Sequence, residues 1–114
     1  MHEYSLVEAL ISRVEAEARR RQALAVHGLS VRIGELAGVD PELFQTAYDT
    51  FRAGTLCAAA PLTLRFVPAS WRCPRCATPI PRGEVLRCQA CQEPARLDEG
   101  SDALTLDGID LEVP

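Results

Sequence analysis

The chain has 114 residues, 47% of them hydrophobic and 25% charged, with a net charge of -4 at pH 7. That length suits one small domain burying about 65% of its unfolded surface. No apolar run approaches the ~20 residues of a membrane span. A soluble, cytoplasmic protein with no membrane partner is therefore expected, and the acidic balance argues against a general nucleic-acid binder.

From the N-terminus, residues 5–22 have the period of an amphipathic helix. Leu6, Val7, Leu10, Ile11, Val14 and Ala18 fall on one face, while Glu8, Arg13, Glu15 and Glu17 face away. Ser5 followed by Glu8 has the form of a capping box, which leaves Met1 to Tyr4 as a short arm outside the helix. Arg19, Arg20 and Arg21 place positive charge at the helix C-terminal end. His27 then reads as a connector residue before Gly28. Leu29, Val31 and Ile33 alternate with polar residues as in a half-buried strand.

Asp40-Pro41-Glu42 is a helix start, with Asp40 as N-cap and Pro41 preset for the first turn. The second helix carries Leu43, Phe44, Ala47, Tyr48 and Phe51 and stops near Gly54. Cys57 reads as a small buried hydrophobe. A second strand turns Leu62, Leu64 and Phe66 inward. A third runs through Leu104, Leu106, Ile109, Leu111 and Val113, and its alternation slips at Asp107-Gly108, the mark of a β-bulge.

Between the last two strands lie Cys73-Pro-Arg-Cys76 and Cys88-Gln-Ala-Cys91. Two CxxC turns facing each other close a tetrahedron around one zinc ion, with Zn–S bonds of about 2.3 Å. Two disulfides or a redox dithiol fit less well. Redox work uses one CxxC, and the chain opens without an apolar signal segment. Four cysteines leave no open position, so this zinc is structural and the segment should lean on it to fold.

Five of the twelve basic residues, all arginine, lie in this segment: Arg72, Arg75, Arg82, Arg87 and Arg96. Offsetting thiolate charge explains them as well as a nucleic-acid patch would. They are also the feature that favours the alternative function, a zinc-ribbon nucleic-acid-binding or protein-interaction module. The expected fold is α+β: two helices on a three-stranded sheet over residues 1–67 plus 101–114, with an inserted zinc-ribbon-like lobe at 68–100. Neither a nucleophile-plus-base pattern nor a phosphate loop is present, so the chain does not read as an enzyme.

His2 stands beside the terminus. A free Met1 amine, the His2 backbone nitrogen and the His2 imidazole could present three nitrogens in one plane, an arrangement favoured by Ni(II) and Cu(II), and Glu3 could add an oxygen.

Several motifs occur in one order: Met1-His2-Glu3-Tyr4-Ser5-Leu6, then Val31-Arg32-Ile33-Gly34-Glu35-Leu36 with Val39-Asp40-Pro41, then the paired CxxC turns, then Leu104-Thr105-Leu106 and Ile109-Asp110-Leu111-Glu112-Val113. Almost end to end, the chain resembles the HypA/HybF family of nickel metallochaperones for [NiFe]-hydrogenase maturation. That resemblance implies nickel as cargo on Met1, His2 and Glu3, with Asp40 as a candidate outer contact whose capping role explains it equally well. It implies zinc on Cys73, Cys76, Cys88 and Cys91. It also implies a GTPase partner and delivery to the hydrogenase large subunit, while leaving a homodimer open. The chain departs from the family pattern at Ala77 and Gln92, where glycine often follows each CxxC pair, so these turns are expected to carry strain.

Overall fold

The computed structural model describes residues 2–114. Helix α1 spans Glu3–Arg20 and buries Val7, Leu10, Ile11, Val14 and Ala18, the apolar stripe read from the sequence. It starts earlier than the Ser5 cap would have it. The N-cap is His2, in extended backbone, and Glu3 supplies acidic charge to the first turn. The cause is tertiary: the Tyr4 ring packs edge-on against Phe51, centroids 5.1 Å apart, and holds the first turn against the second helix. The expected four-residue arm is therefore shorter, since Glu3 and Tyr4 are helical. Met1 lies outside the described residues. The helix ends with Gln22 at φ 54 and Ala23 N–H donating to the Ala18 carbonyl at 2.9 Å. Arg20 and Arg21 share the Glu17 carboxylate, which they hold down to about 2.

Strand β1, Ala25–Gly34, begins four residues before the alternating run. His27 is thus a strand residue, not a connector. It occupies an extra position opposite the Leu111/Asp110 step, and its Nε2 lies 3.0 Å from Glu112 Oε1. A single 3-10 turn, Glu35–Ala37, leads to helix α2, Pro41–Phe51. Asp40 caps α2 as expected: its Oδ1 accepts from the Glu42 and Leu43 N–H groups at 2.9 and 3.2 Å.

Strand β2, Leu62–Val67, pairs parallel to β1, and β6, Leu104–Glu112, pairs antiparallel on the other side, giving the order β2-β1-β6. The register slips between Ser30 and Val31 so that Asp107 is the extra residue, as the broken alternation indicated, and Arg32 Nε donates to Asp107 Oδ1 at 2.7 Å.

Both helices cover one face of this sheet, forming a core in which Phe44, Tyr48, Val31, Ile33 and Cys57 are fully buried. Phe66 departs from expectation. It sits on the edge strand with half its surface exposed, whereas Leu62 and Leu64 pack on the core. An edge residue has a neighbouring strand on one side only, and alternation alone does not show where helical cover ends.

Between β2 and β6 the chain builds a second small sheet from β3 (Trp71–Arg72), β4 (Pro79–Ile80) and β5 (Arg96–Leu97), ordered β4-β3-β5. Its buried cluster of Cys73, Ile80 and Cys88, with Trp71, Cys91 and Ala95 against it, shares no residue with the main core. So little apolar mass explains why this lobe needs another source of stability.

Candidate metal centre

Each CxxC pair forms the same turn. Cys73 N–H donates to the Thr78 carbonyl and Ala77 N–H returns to the Cys73 carbonyl, at 3.0 and 2.9 Å. In the second turn Cys88 N–H donates to Glu93 O and Gln92 N–H to Cys88 O, at 2.9 and 2.8 Å. Backbone N–H groups also point at sulfur: Arg75 N–H at Cys73 Sγ and Cys91 N–H at Cys88 Sγ, both at 3.4 Å.

The two turns bring all four Sγ atoms within 4.8 Å of one another. Cys76 Sγ and Cys88 Sγ are 3.8 Å apart. A tetrahedron with bonds of about 2.3 Å has edges of about 3.8 Å, so the spacing fits a zinc-sized ion bound by four thiolates. It is far too long for a disulfide, and all five cysteines are free thiols. Cys73 and Cys88 are buried, Cys91 half-buried and Cys76 exposed.

Four thiols this close cannot all ionise alone. Hydrogen bonds from the Thr78 hydroxyl (3.0 Å) and backbone draw Cys76 down to about 6. Cys91 is pushed up to about 12, first by its hydrogen bond to the Cys76 sulfur, then by burial and by Cys73 and Cys88. A divalent cation at the centre resolves the conflict by stabilising every thiolate at once.

The turns have the strain that missing glycines imply: Ala77 and Gln92 stand at φ 63 and φ 60. The arginines behave differently from the expectation that they serve the thiolates. Arg72 donates to Asp98 at 2.6 Å, Arg75 approaches Glu93 at 3.8 Å, Arg82 forks onto Glu35, and Arg87 donates to the Gln92 carbonyl. Their partners are carboxylates and a carbonyl of this chain, which also removes much of the charge a nucleic-acid face would need.

The N-terminal residues are not assembled in this way. His2 is exposed, makes no side-chain bond to its own cap, and lies edge-on to Tyr4 with centroids 6.0 Å apart. Among the described residues the cysteines are the only group of three or more His, Cys, Asp or Glu side chains placed to hold a metal; His2, Glu3 and Asp40 form no such group. Thr78 and Glu35 are the residues that reasoning from the sequence left without a role. Thr78 has no motif to mark it, whereas Glu35 lies inside the Val31–Leu36 stretch that carries the family resemblance.

An α+β fold carrying a four-sulfur cage has the make-up of a metal-binding protein, and the chain belongs to the HypA family. The family model described as "Hydrogenase/urease nickel incorporation, metallochaperone, hypA" matches residues 1–111. The chain is 37% identical over 108 residues to the hydrogenase maturation factor HypA of Shewanella baltica, covering 93% of this chain and 92% of that one. It is 32% identical over 114 residues to its namesake from Wolinella succinogenes, covering 98% and 96%. The solution structure of the Ni metallochaperone HypA from Helicobacter pylori superposes with a TM-score of 0.70 at 28% identity, over the whole of both chains. A second solution structure, of a HypA protein, gives 0.77 at 27% identity, over 100% of this chain and 98% of that one. As a family of metallochaperones, HypA proteins carry a metal rather than transform a substrate. No described helix is long and apolar enough to cross a membrane.

Proposed function

We propose that this chain carries Ni(II) as cargo on Met1, His2 and Glu3 and holds Zn(II) permanently on Cys73, Cys76, Cys88 and Cys91. In this reading residues 1–67 plus 101–114 form the nickel-binding core and residues 68–100 the zinc lobe. The nickel passes, with a GTPase partner, to a hydrogenase large subunit in the cytoplasm. The family description and the Helicobacter pylori relative, itself a Ni metallochaperone by name, support nickel as the metal. The observation that carries the division of labour is the contrast in preorganisation: a closed cage of four sulfurs against an exposed His2 at the very start of a helix.

The chemistry follows from that placement. The amide of a helix N-cap precedes the hydrogen-bonded turns, so the His2 nitrogen can join the imidazole and the Met1 amine without breaking α1. Beside it, the helix N-terminus carries about half a positive charge, which opposes a cation. Glu3 offsets that charge in the first turn. A cation held by few protein ligands against an unfavourable dipole is suited to ligand exchange. Asp40 has one oxygen engaged by its cap and stays an outer contact in this scheme.

The test is restoration of hydrogenase activity in a strain deleted for its own HypA. Wild type should restore it and His2→Ala should not. Equal restoration by both would overturn the assignment of nickel to the arm.

A further inference from the structure

The cysteine lobe and the core meet at one polar corner. Glu35 stands on the 3-10 turn of the core, and Arg82 reaches it from the lobe 47 positions later. Arg82 Nη1 donates to Glu35 Oε1 at 2.7 Å while Nη2 donates to Oε2, a two-pronged fork. Glu35 Oε1 also accepts the Ala69 N–H at 2.8 Å, and Arg82 Nη1 donates to the Ala69 carbonyl at 3.1 Å. Both side chains thus close on the segment by which the chain enters the lobe. The Arg82 guanidinium lies over the Trp71 ring, 6.0 Å from its centroid.

The exit segment is fixed beside them. Leu36 N–H donates to the Ser101 carbonyl at 2.8 Å and Gly34 N–H to Ala103 O at 2.9 Å. Gly34 permits this approach, since a Cβ there would lie 2.3 Å from the Gly100 carbonyl oxygen.

The lobe is closed at its own base. Asp98 accepts from the Ser70 hydroxyl at 2.5 Å and from Arg72 Nε at 2.6 Å, and its N–H donates to Ser70 O at 2.8 Å. Because the lobe and core clusters share no residue, the lobe is not anchored by the main hydrophobic core. The molecule is long, 54 × 29 × 18 Å with a radius of gyration of 17.9 Å, against about 13 Å for a compact chain of this size.

We propose that Glu35 and Arg82 form a latch that seats the cysteine lobe on the core, and that opening it lets residues 70–98 swing as one metal-loaded body about Ala69 and Gly100. The hinge positions suit this role. Ala69 is held through the latch itself, and Gly100, at φ 90, sits between the Asp98 clamp and the Ser101 anchor. An ion pair with an exposed guanidinium is held in place by geometry and is open to screening or to a competing bidentate anion. The latch is independent of which metal the N-terminal arm carries.

The test uses the zinc-loaded full chain. Backbone 15N relaxation should show lobe and core amides of the wild type tumbling together. In Glu35→Ala the lobe amides should tumble faster than the core amides, with zinc content unchanged. Trp71, the only tryptophan, should at the same time become more accessible to acrylamide. In lobe tumbling, Glu35→Ala/Arg82→Ala should go no further than Glu35→Ala alone, because the fork is the contact between lobe and 3-10 turn that both remove. The contacts of Arg82 with Ala69 O and the Trp71 ring do not reach that turn, and for that reason the acrylamide readout is compared only between wild type and the Glu35 variants. Glu35→Gln keeps an oxygen for Ala69 and should move in the same direction by less, which decides the matter if the alanine variant disturbs the corner. High salt should move the wild type toward the variants. Unchanged lobe tumbling in both Glu35 variants, independent lobe tumbling already in the wild type, or a double variant that adds the effects of two separate contacts would each overturn the latch.

Discussion

Two turns with the same hydrogen-bond pattern hold the four cysteine sulfurs within 4.8 Å of one another, whereas His2 stands at a helix start with its side chain unbound to the cap. In the first region the two turns gather the donors, and the metal locks a shape that the lobe's small apolar cluster does not hold alone. At the second, any cation must gather its own ligands against the helix dipole. A cage of the first kind stores binding energy as folding energy. The second spends little on order and can give up its ligands singly. Under the proposed function, that difference is what would let one small chain keep one metal and hand over another.

The largest effect expected on this contrast comes from removing the cage. Metal binding in short zinc motifs is worth roughly 10–16 kcal/mol, and the lobe's own buried cluster is small. Cys88→Ala, or a strong chelator, should therefore abolish stoichiometric zinc and collapse the dispersed amide signals of residues 71–97 in an NMR spectrum. Signals of the β2-β1-β6 sheet should persist. Loss of the core signals as well would break the comparison by showing one cooperative unit.

A pH series sharpens the comparison from the side of the core. Burial pushes the Cys57 thiol above its ordinary value of 9.0 and the Tyr48 hydroxyl above 10.0. The fold disfavours the ionised forms, so this part of its stability is fully present well below pH 9.0. It is lost as pH rises from the unfolded values through the folded ones. Denaturant midpoints for the core should hold steady from about pH 6 to about pH 8 and fall beyond it. A midpoint that rises across that range would contradict the burial account.

A smaller effect lies in the turns. Ala77 at φ 63 has no side-chain contact that glycine would lose among those described, and relieving left-handed strain is worth about 1 kcal/mol after the flexibility of unfolded glycine is counted. Ala77→Gly should raise the thermal midpoint of the zinc-loaded lobe. Gln92→Gly should gain less, because the Gln92 amide also donates to Gln89 O at 2.9 Å. The smallest effect on stability belongs to the arm: His2→Ala removes no described cap bond and should leave the melting curve unchanged within error.

Features written in short-range patterns were legible in the sequence. The CxxC spacing announced the cage, Asp40-Pro41 announced the start of α2, and the slipped alternation announced the bulge at Asp107. The features that escaped depend on residues far apart in the chain. The start of α1 is set by Tyr4 on Phe51, and His27 joins β1 because β6 pairs beside it. Phe66 is exposed because it lies on an edge strand. The arginines near the cysteines looked like partners for sulfur. Their actual partners, Asp98, Glu93 and Glu35, are set by the tertiary fold.

The most direct measurement is a Ni(II) titration of the untagged, zinc-loaded chain beside its His2→Ala variant, with zinc followed throughout. One nickel per chain in the wild type, lost in the variant while zinc is retained, is the expected result. Equal nickel uptake by both chains, or nickel bound only as zinc leaves, would contradict a cargo site separate from the cage.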